Sequence, residues 1–469
     1  MARLRQGYGG QVLFLARHEW RVMRANAIVR LVVAVFGIAL VGSTMLGMAR
    51  AERERTTLAD YENRQGALPF RTPASRLGAD AVANERGWLA MLPPAPLAHL
   101  AIGQGDVYPN YIKVTARSLD ALVTGDQIEH PLSVASGQFD VAFVILFLYP
   151  LLIFAVSFDL TAGERDRGTL RMVLSQPVTL RQVVAGKMIV RVALLLVPAI
   201  VLPFATQFAG APQYAAGARW ERMLLWSIAV IAYASVWHGL ALVVNARGLK
   251  APANALVLAG LWLLFVVVGP SAVNLLIATR YPMPSRVEAA VQARAATQEA
   301  TVQGSRELGQ FLQDHPTSGN VGREGMRQFA LLQAQRDQRV ADRLQSVEAT
   351  FNEQLKKQQH LASWLSVLSP TMIAQGVLLD VAGTSTYRYE YFRHEASKFQ
   401  RQWRAYFEPR VLDAATITSQ EYVDAPDFRF REEDDTVMRD RILLPIALLT
   451  GFALLLWWAG FRRYARYQL

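Results

Sequence analysis

The sequence predicts an all-α membrane protein with six transmembrane helices, N- and C-termini in the cytoplasm, and a mainly helical extracytoplasmic domain. Six apolar segments are each long enough to cross a bilayer core of roughly 30 Å as a helix. Arginines cluster beside the apolar segments at both ends of the chain, which places both termini on the cytoplasmic side. Two long polar stretches interrupt the apolar segments, and hydrophobic residues make up 52% of the 469 residues. This composition indicates a mixture of membrane spans and polar domains.

Apolar runs, charge and turn signals divide the chain into alternating membrane and polar segments. The predicted segments are an amphipathic helix at 1–26, spans at 27–48, 139–158, 192–208, 223–244, 253–279 and 442–461, extracytoplasmic segments at 49–138 and 280–441, a cytoplasmic loop at 159–191, and a cytoplasmic tail at 462–469.

The segment before the first span has the pattern of a helix that lies on the membrane surface. Arg17, Arg21 and Arg24 give it a basic face, and Trp20 suits a membrane–water interface. We therefore expect Trp20 and Arg21 to be membrane-surface anchors.

Polar side chains within the spans are few. His238 is a functional candidate because an ionisable group inside a span is costly to bury. The alternative is a neutral imidazole that bonds a facing helix, and both interpretations stay open. Gly269–Ser271 predicts a break in the fifth span, so Asn274, which follows it, is a second intramembrane polar candidate.

The polar stretches predict helices outside the spans. Ser285–Gln313 and Gly322–Leu365 are rich in helix-forming residues and should form two long helices. Thr371–Thr384 is apolar but too short to span, which predicts an interfacial or buried helix. Tyr387–Glu408 is aromatic and basic and is expected to lie along the headgroups. Leu92–Asp106 is too short and too rich in proline to span and is interpreted as a packed, partly membrane-surface segment, in which His99 and Asp106 have structural roles.

Several function classes have no support in the residues. The chain has no cysteine, and its seven histidines form no metal-binding pattern, so no metal site is predicted. No phosphate-binding glycine loop ending in Gly-Lys-Ser/Thr occurs, so the chain is not expected to hydrolyse ATP by itself or to hold a cofactor. The net charge of +11 is explained by arginines that flank the spans and contact the lipid bilayer, so no nucleic-acid partner is expected.

The most informative stretch is the loop from Asp159 to Arg191, which carries six basic and three acidic residues. Its net positive charge predicts a cytoplasmic location. Leu170, Val173 and Leu174 have helical spacing, and Pro177 should end that helix. Thr179 is then the expected N-cap of the next helix.

These residues also carry a resemblance to a known family. Glu164–Leu170, Leu174–Val178 and Gly186-Lys187 resemble the intracellular loop of ABC-2 type transporter permeases. In that family the loop is a coupling helix that docks on a separate ATP-hydrolysing subunit. The resemblance implies ion pairs from Glu164 and Arg165 and apolar docking contacts from Leu170 and Leu174. The full set of ATPase-coupling candidates is Glu164, Arg165, Gly168, Thr169, Leu170, Leu174, Pro177 and Lys187.

The polar stretches are similar to those of a subgroup of these permeases with large, uncharacterised extracytoplasmic domains. This similarity rests on residues 92–106, 108–109, 114–117, 131–132, 137–140, 368–370, 380–384 and 401–404. The resemblance implies two ABC ATPase subunits that bind ATP and Mg, a second copy or paralogue of the permease, and the bacterial inner (plasma) membrane. It leaves two functions open. One is export of an amphipathic or peptide- or lipid-like cargo, and the other is mechanotransmission to an extracytoplasmic protein without cargo passing through the helices.

Overall fold

The computed structural model describes residues 8–71, 77–103, 109–117, 119–120, 139–210, 219–282, 353–413 and 415–466, with isolated helical positions between 291 and 349. The described chain is mainly helical, and six of its helices are long and apolar enough to cross a membrane. The prediction of six spanning helices is confirmed to this extent. Spans one to six are Ala27–Gln65, Val141–Asp166, Leu180–Ala209, Trp220–Asn245, Ala251–Arg280 and Asp435–Ala465.

Span one belongs to a much longer helix than the sequence predicts. The helix runs without interruption from Ala27 to Arg71, which is 45 residues, whereas the expected span ended at Met48. The residues after Met48 are polar, but no proline occurs among them before Pro69, so nothing stops the helix. At 1.5 Å per residue the helix is about 67 Å long, roughly twice the thickness of a bilayer core.

Two spans contain a π-helical turn just before a proline. The turns are Val144–Leu148 in span two and Leu263–Val268 in span five, and Pro150 and Pro270 follow them. A proline has no N–H to donate and its ring crowds the preceding turn, and one extra residue in that turn relieves the conflict. Span five therefore continues through Gly269–Ser271, and the predicted break in it is wrong.

Spans four and six pack closely through two glycines. A Cβ atom on Gly239 would lie 2.8 Å from Cβ of Leu456, and one on Gly460 would lie 2.7 Å from Cγ of Leu242. Small residues allow helix backbones to approach each other closely in a membrane. These two spans therefore form a tightly packed pair within the bundle.

The short apolar helix Pro370–Ala382 enters this bundle. Ser369 caps its N-terminus and also donates a hydrogen bond from Oγ to the carbonyl oxygen of Phe265, at 2.5 Å, in the middle of span five. One residue into the helix, Oγ1 of Thr371 lies 3.2 Å from the hydroxyl of Tyr233 in span four. Most of its apolar side chains are buried. Of the two alternatives predicted for this segment, the buried helix is confirmed.

A compact unit lies at the end of the bundle where span one continues, and we call it the small mixed domain. It contains the helix Thr386–Leu412, a two-stranded antiparallel pair of Leu77–Gly78 with Thr416–Ile417, and a three-stranded antiparallel sheet of Trp88–Met91, Tyr111–Val114 and Leu119–Asp120. Trp88 pairs with Val114 and Met91 pairs with Tyr111. The sequence predicted a mainly helical domain and missed both sheets, because each strand is four residues or fewer.

The aromatic residues of Thr386–Leu412 form the core of this domain. Phe392, Phe399, Trp403 and Phe407 are all buried, and the indole N–H of Trp403 donates to the carbonyl oxygen of Ala83 at 3.1 Å. The aromatic side chains are therefore not available to lipid headgroups, and this removes the reason for expecting the helix to lie along them. Its aromatic face is covered by residues 79–116 of the same chain.

The proline-rich segment Leu92–Asp106 and the two long helices predicted for 285–365 remain to be compared with the structure. Leu97, Leu100 and Ala101 are buried in the core of the bundle, so Leu92–Asp106 is a packed segment as predicted, although Asp106 lies outside the described residues. Nε2 of His99 lies 3.1 Å from Oε1 of Gln207, which ties this segment to span three. The two long helices predicted for 285–365 lie largely outside the described residues, and the positions described there are helical.

Candidate functional site

The loop between the apolar parts of spans two and three forms two short helices, Ala162–Asp166 and Thr169–Leu174, of which the first lies within the outer bounds of span two given above. We call the end of the bundle where this loop lies the loop end. Gly168 separates the two helices with a left-handed backbone, φ +74°. A Cβ atom at Gly168 would meet no atom of the described residues within 4 Å, so backbone conformation, and not crowding, favours glycine here.

The beginning of span three is capped as predicted. The hydroxyl of Thr179 accepts from the backbone N–H of Gln182, and Oε1 of Gln182 accepts from the backbone N–H of Thr179 at 2.8 Å. This reciprocal pair is a capping box. Gln11 accepts a hydrogen bond from the Gln182 amide at 2.7 Å and donates one to the carbonyl oxygen of Pro177 at 3.3 Å. The helix Tyr8–Ala25, called the N-terminal helix below, therefore contacts the end of the loop.

The two leucines expected to dock on an ATPase contact the bundle of this chain. Leu170 is only 2% exposed and packs with Leu160, Val184 and Tyr464, while Leu174 is half-buried against the same cluster. Leu170 therefore fastens the loop to the bundle and has almost no exposed surface for docking, while the docking contact of Leu174 stays a prediction. The apolar side chain that this helix exposes is Met172, which is 75% exposed.

One ion pair and three hydrogen bonds to backbone carbonyls hold the middle of the loop. The ammonium group of Lys187 lies 2.9 Å from Oε1 of Glu164 and donates to the carbonyl oxygen of Leu160, also at 2.9 Å. The hydroxyl of Thr169 donates to the backbone carbonyl of Glu164 at 3.1 Å. The guanidinium of Arg165 donates to the carbonyl oxygen of Leu249, in the turn between spans four and five. Glu164 and Arg165 thus orient the loop through contacts within this chain.

One turn along span three, Arg191 holds the beginning of the loop. Its guanidinium donates to Glu19 of the N-terminal helix at 3.0 and 3.1 Å, to Asp159 at 3.0 Å, and to the carbonyl oxygen of Val156 at 2.6 Å. The side chains of Arg191 and Glu19 are almost completely buried. Sequence analysis missed this cluster, because nothing in a single sequence pairs a base with an acid 172 positions away.

The Gly186-Lys187 part of the sequence motif has a packing explanation. A Cβ atom on Gly186 would lie 2.8 Å from Cβ of Leu15 and 3.1 Å from the backbone N of Ala16. The N-terminal helix therefore crosses span three in close contact at this glycine, and a larger residue would force the two helices apart.

The predicted intramembrane polar residues do not form a joint site. His238 is fully buried, and its Nδ1 lies 2.8 Å from the carbonyl oxygen of Ala234 in its own helix. Asn274 is exposed and lies near the opposite end of the bundle. Asn254 is buried and donates to Phe158 and Asn245, which ties the ends of spans two, four and five together.

The candidate membrane anchors lie on an exposed face. Trp20 and Arg21 are both exposed on the N-terminal helix, and the opposite face of this helix packs on span three through Val12 and Ala16. This arrangement suits a helix at a membrane surface, and the anchoring role stays a prediction. Within the described residues, no group of three histidine or acidic side chains could hold a metal ion.

Six helices that are long and apolar enough to cross a membrane define the class of a multi-pass helical membrane protein. Residues 286–431 match a family model described as a domain of unknown function, DUF3526. No curated protein matches the chain. The matched region is less than half of the chain, and it lacks the strands between residues 77 and 120 that complete the small mixed domain.

Proposed function

We propose that this chain is the membrane subunit of an ATP-driven transporter of the ABC-2 permease type, with loop 159–191 as the coupling element. ATP and Mg would bind to two separate ATPase subunits, and this chain would not be an enzyme by itself. The permease would act with a second copy or a paralogue in the bacterial inner membrane. The loop end would then face the cytoplasm and the small mixed domain would be extracytoplasmic.

The geometry of the loop carries this proposal. Its inner face is fastened to the spans by Leu170, Lys187 and Arg191, while Met172, Ser175 and Gln176 are exposed on its outer face. A loop held this rigidly can pass a push at its surface to spans two and three. An ordinary connecting loop needs neither two buried basic residues nor a left-handed glycine between two short helices.

The scarcity of polar side chains in the spans supports a cargo of amphipathic or peptide- or lipid-like character. In the most apolar part of span five, and likewise of span six, less than one fifth of the residues are buried within this chain. Such a surface fits lipid or a second membrane subunit. Polar side chains such as Asn274 interrupt it only rarely, which does not favour a hydrophilic cargo.

A second function, mechanotransmission without cargo, is favoured by the links between the spans and the small mixed domain. Arg222 of span four pairs with Asp435 of span six at 2.6 Å and also donates to the carbonyl oxygen of Val381. Arg441 of span six pairs with Asp380 at 3.0 Å. These bonds join spans four and six to the end of Pro370–Ala382, directly before the helix of the small mixed domain, so movement of the spans would reach that domain.

The experiment that tests the proposal uses the exposed face of the loop. Met172→Asp should abolish association with the ATPase subunits while the chain still folds, because the Met172 side chain is 75% exposed. Arg181→Gln, another change at an exposed residue of the loop end, is the control. Association that is unchanged by Met172→Asp would argue against the coupling assignment.

A further inference from the structure

Arg191 connects the N-terminal helix to the loop. Through one guanidinium it bonds Glu19 of that helix, Asp159 of the loop and the carbonyl oxygen of Val156 in span two. Buried charges of this kind hold elements in one fixed arrangement, because separating them leaves a charge without a partner. The loop and the N-terminal helix should therefore move together.

The N-terminal helix is in turn joined to span one by a single residue. Asn26 ends one helix and caps the next, since its Oδ1 accepts from the backbone N–H of Ile28 at 2.9 Å. Met23, Val29 and Val190 share one apolar cluster across the N-terminal helix, span one and span three. A shift of the N-terminal helix must therefore displace the base of span one.

Span one reaches the small mixed domain without a break in its helix. The backbone N–H of Leu89 donates to Oε1 of Gln65 at 2.9 Å, and the rings of Tyr61 and Tyr111 lie 5.4 Å apart. Leu89 and Tyr111 belong to the three-stranded sheet of that domain. The far part of this helix is thus bonded to the sheet, while its base is held at the loop end.

We propose that Glu19 and Arg191 are positioning residues that pass movement of the loop, through the N-terminal helix and the continuous helix Ala27–Arg71, to the small mixed domain. The source of that movement rests on the proposed function. The path itself consists of contacts within this chain. The part of the helix Ala27–Arg71 that extends beyond the bilayer core then serves to transmit movement. The movement arrives at the small mixed domain.

Because Arg191 has several partners, its link to the N-terminal helix can be removed while the loop keeps its other contacts with the bundle. Glu19→Gln removes one charge from the N-terminal helix, but Arg191 keeps Asp159 and Val156, and Lys187 keeps Glu164. The loop should stay attached to the bundle and still bind an ATPase, while the N-terminal helix loosens. Glu19→Asp keeps the charge and should restore part of the link.

The test measures a distance between two spin labels by double electron–electron resonance in the full chain with its ATPase subunits. The chain has no cysteine, so Thr57→Cys on the long helix and Thr279→Cys on span five give two exposed labelling sites without background. We expect an ATP-dependent shift of the distance in the parent chain and in Arg181→Gln. Glu19→Gln should lose that shift although the ATPase still binds.

A second pair of variants tests the helix as the connecting element. Glu52 and Arg53 are exposed in the part of the helix beyond the apolar stretch. Replacing both with glycine weakens the helix there, whereas replacing both with alanine removes the same side chains and keeps the helix. The glycine pair should lose the ATP-dependent shift and the alanine pair should keep it.

The outcomes separate the two proposals. If no ATPase binds the parent chain, the proposed function fails. The distribution of the spin-label distance in the absence of ATP then tests the inference by itself. Glu19→Gln should broaden that distribution relative to the parent chain and to Arg181→Gln. A distribution of unchanged width, or an ATP-dependent shift that persists in Glu19→Gln, would overturn the inference.

Discussion

The ammonium group of Lys187 lies 2.9 Å from the carboxylate of Glu164, and Lys187 is only 7% exposed. This pair joins the base of span three to the middle of the loop. One turn further along the same helix, Arg191 repeats the arrangement with Asp159. Two basic residues on one face of span three therefore hold two successive points of the loop, and this makes the loop part of the bundle.

Replacing Lys187 should loosen the loop. Lys187→Gln leaves Glu164 without its charge partner, and we expect a loss of about 2 kcal/mol in the free energy of unfolding. This is less than the roughly 3–5 kcal/mol of a fully buried pair, because Glu164 is partly exposed. Denaturant unfolding in detergent, followed by circular dichroism, measures it. Arg181→Gln, an exposed residue of the same helix, should have little effect, and equal losses in the two variants would contradict the assignment.

The two faces of the loop helix should respond differently to a new charge. Leu170→Asp places a carboxylate in the apolar cluster at the loop end, so it should destabilise the chain by several kcal/mol. Met172→Asp should leave the melting temperature unchanged and reduce only ATPase association. Melting curves and a quantitative pull-down with the ATPase distinguish these effects. A stable Leu170→Asp variant would show that Leu170 is not the residue that fastens the loop.

The close contact between spans four and six can be tested with matched glycines of one helix. Gly460→Ala puts a methyl group 2.7 Å from Leu242 and should cost about 1–3 kcal/mol through overpacking. A Cβ atom at Gly451 meets nothing within 4 Å, so Gly451→Ala should be neutral or slightly stabilising. Thermal unfolding of both variants in one detergent measures the difference. Two equal melting temperatures would argue against this packing.

The small mixed domain should require both parts of the chain that build it. Residues 286–431 alone leave Phe392, Trp403 and Phe407 without the strands that cover them, so this fragment should unfold without cooperativity. Joining residues 77–120 to it should restore a cooperative transition, observed by tryptophan fluorescence. Cooperative unfolding of the shorter fragment with equal stability would show that the matched region folds by itself.

The topology can be tested with single cysteines in intact cells. Ser175 lies on the loop and Lys398 on the small mixed domain, and both side chains are exposed, so burial does not limit either reaction. A cysteine at Lys398 should react with an impermeant maleimide added outside, and a cysteine at Ser175 should react only after lysis. The reverse pattern would overturn the orientation.

Sequence reasoning worked best where the signal is local. The apolar spans, the N-cap at Thr179 and the buried short helix after Ser369 follow from hydropathy, capping residues and length, which neighbouring positions determine. It failed where distant segments decide the outcome. Glu19 and Arg191, or Ala83 and Trp403, meet only through the tertiary fold, so a single sequence cannot pair them. Leu170 illustrates both cases, since its helix was predicted and its burial was not.

The central claim, that loop 159–191 couples this chain to a separate ATPase, is tested most directly by mild detergent purification of the tagged chain from its native host. Mass spectrometry would identify the proteins that co-purify, with the Met172→Asp variant treated in parallel. The account predicts a small soluble ATPase in the parent sample and its loss in Met172→Asp, and an additional extracytoplasmic protein would favour mechanotransmission. Absence of an ATPase from the parent sample, even after mild crosslinking, would contradict the account.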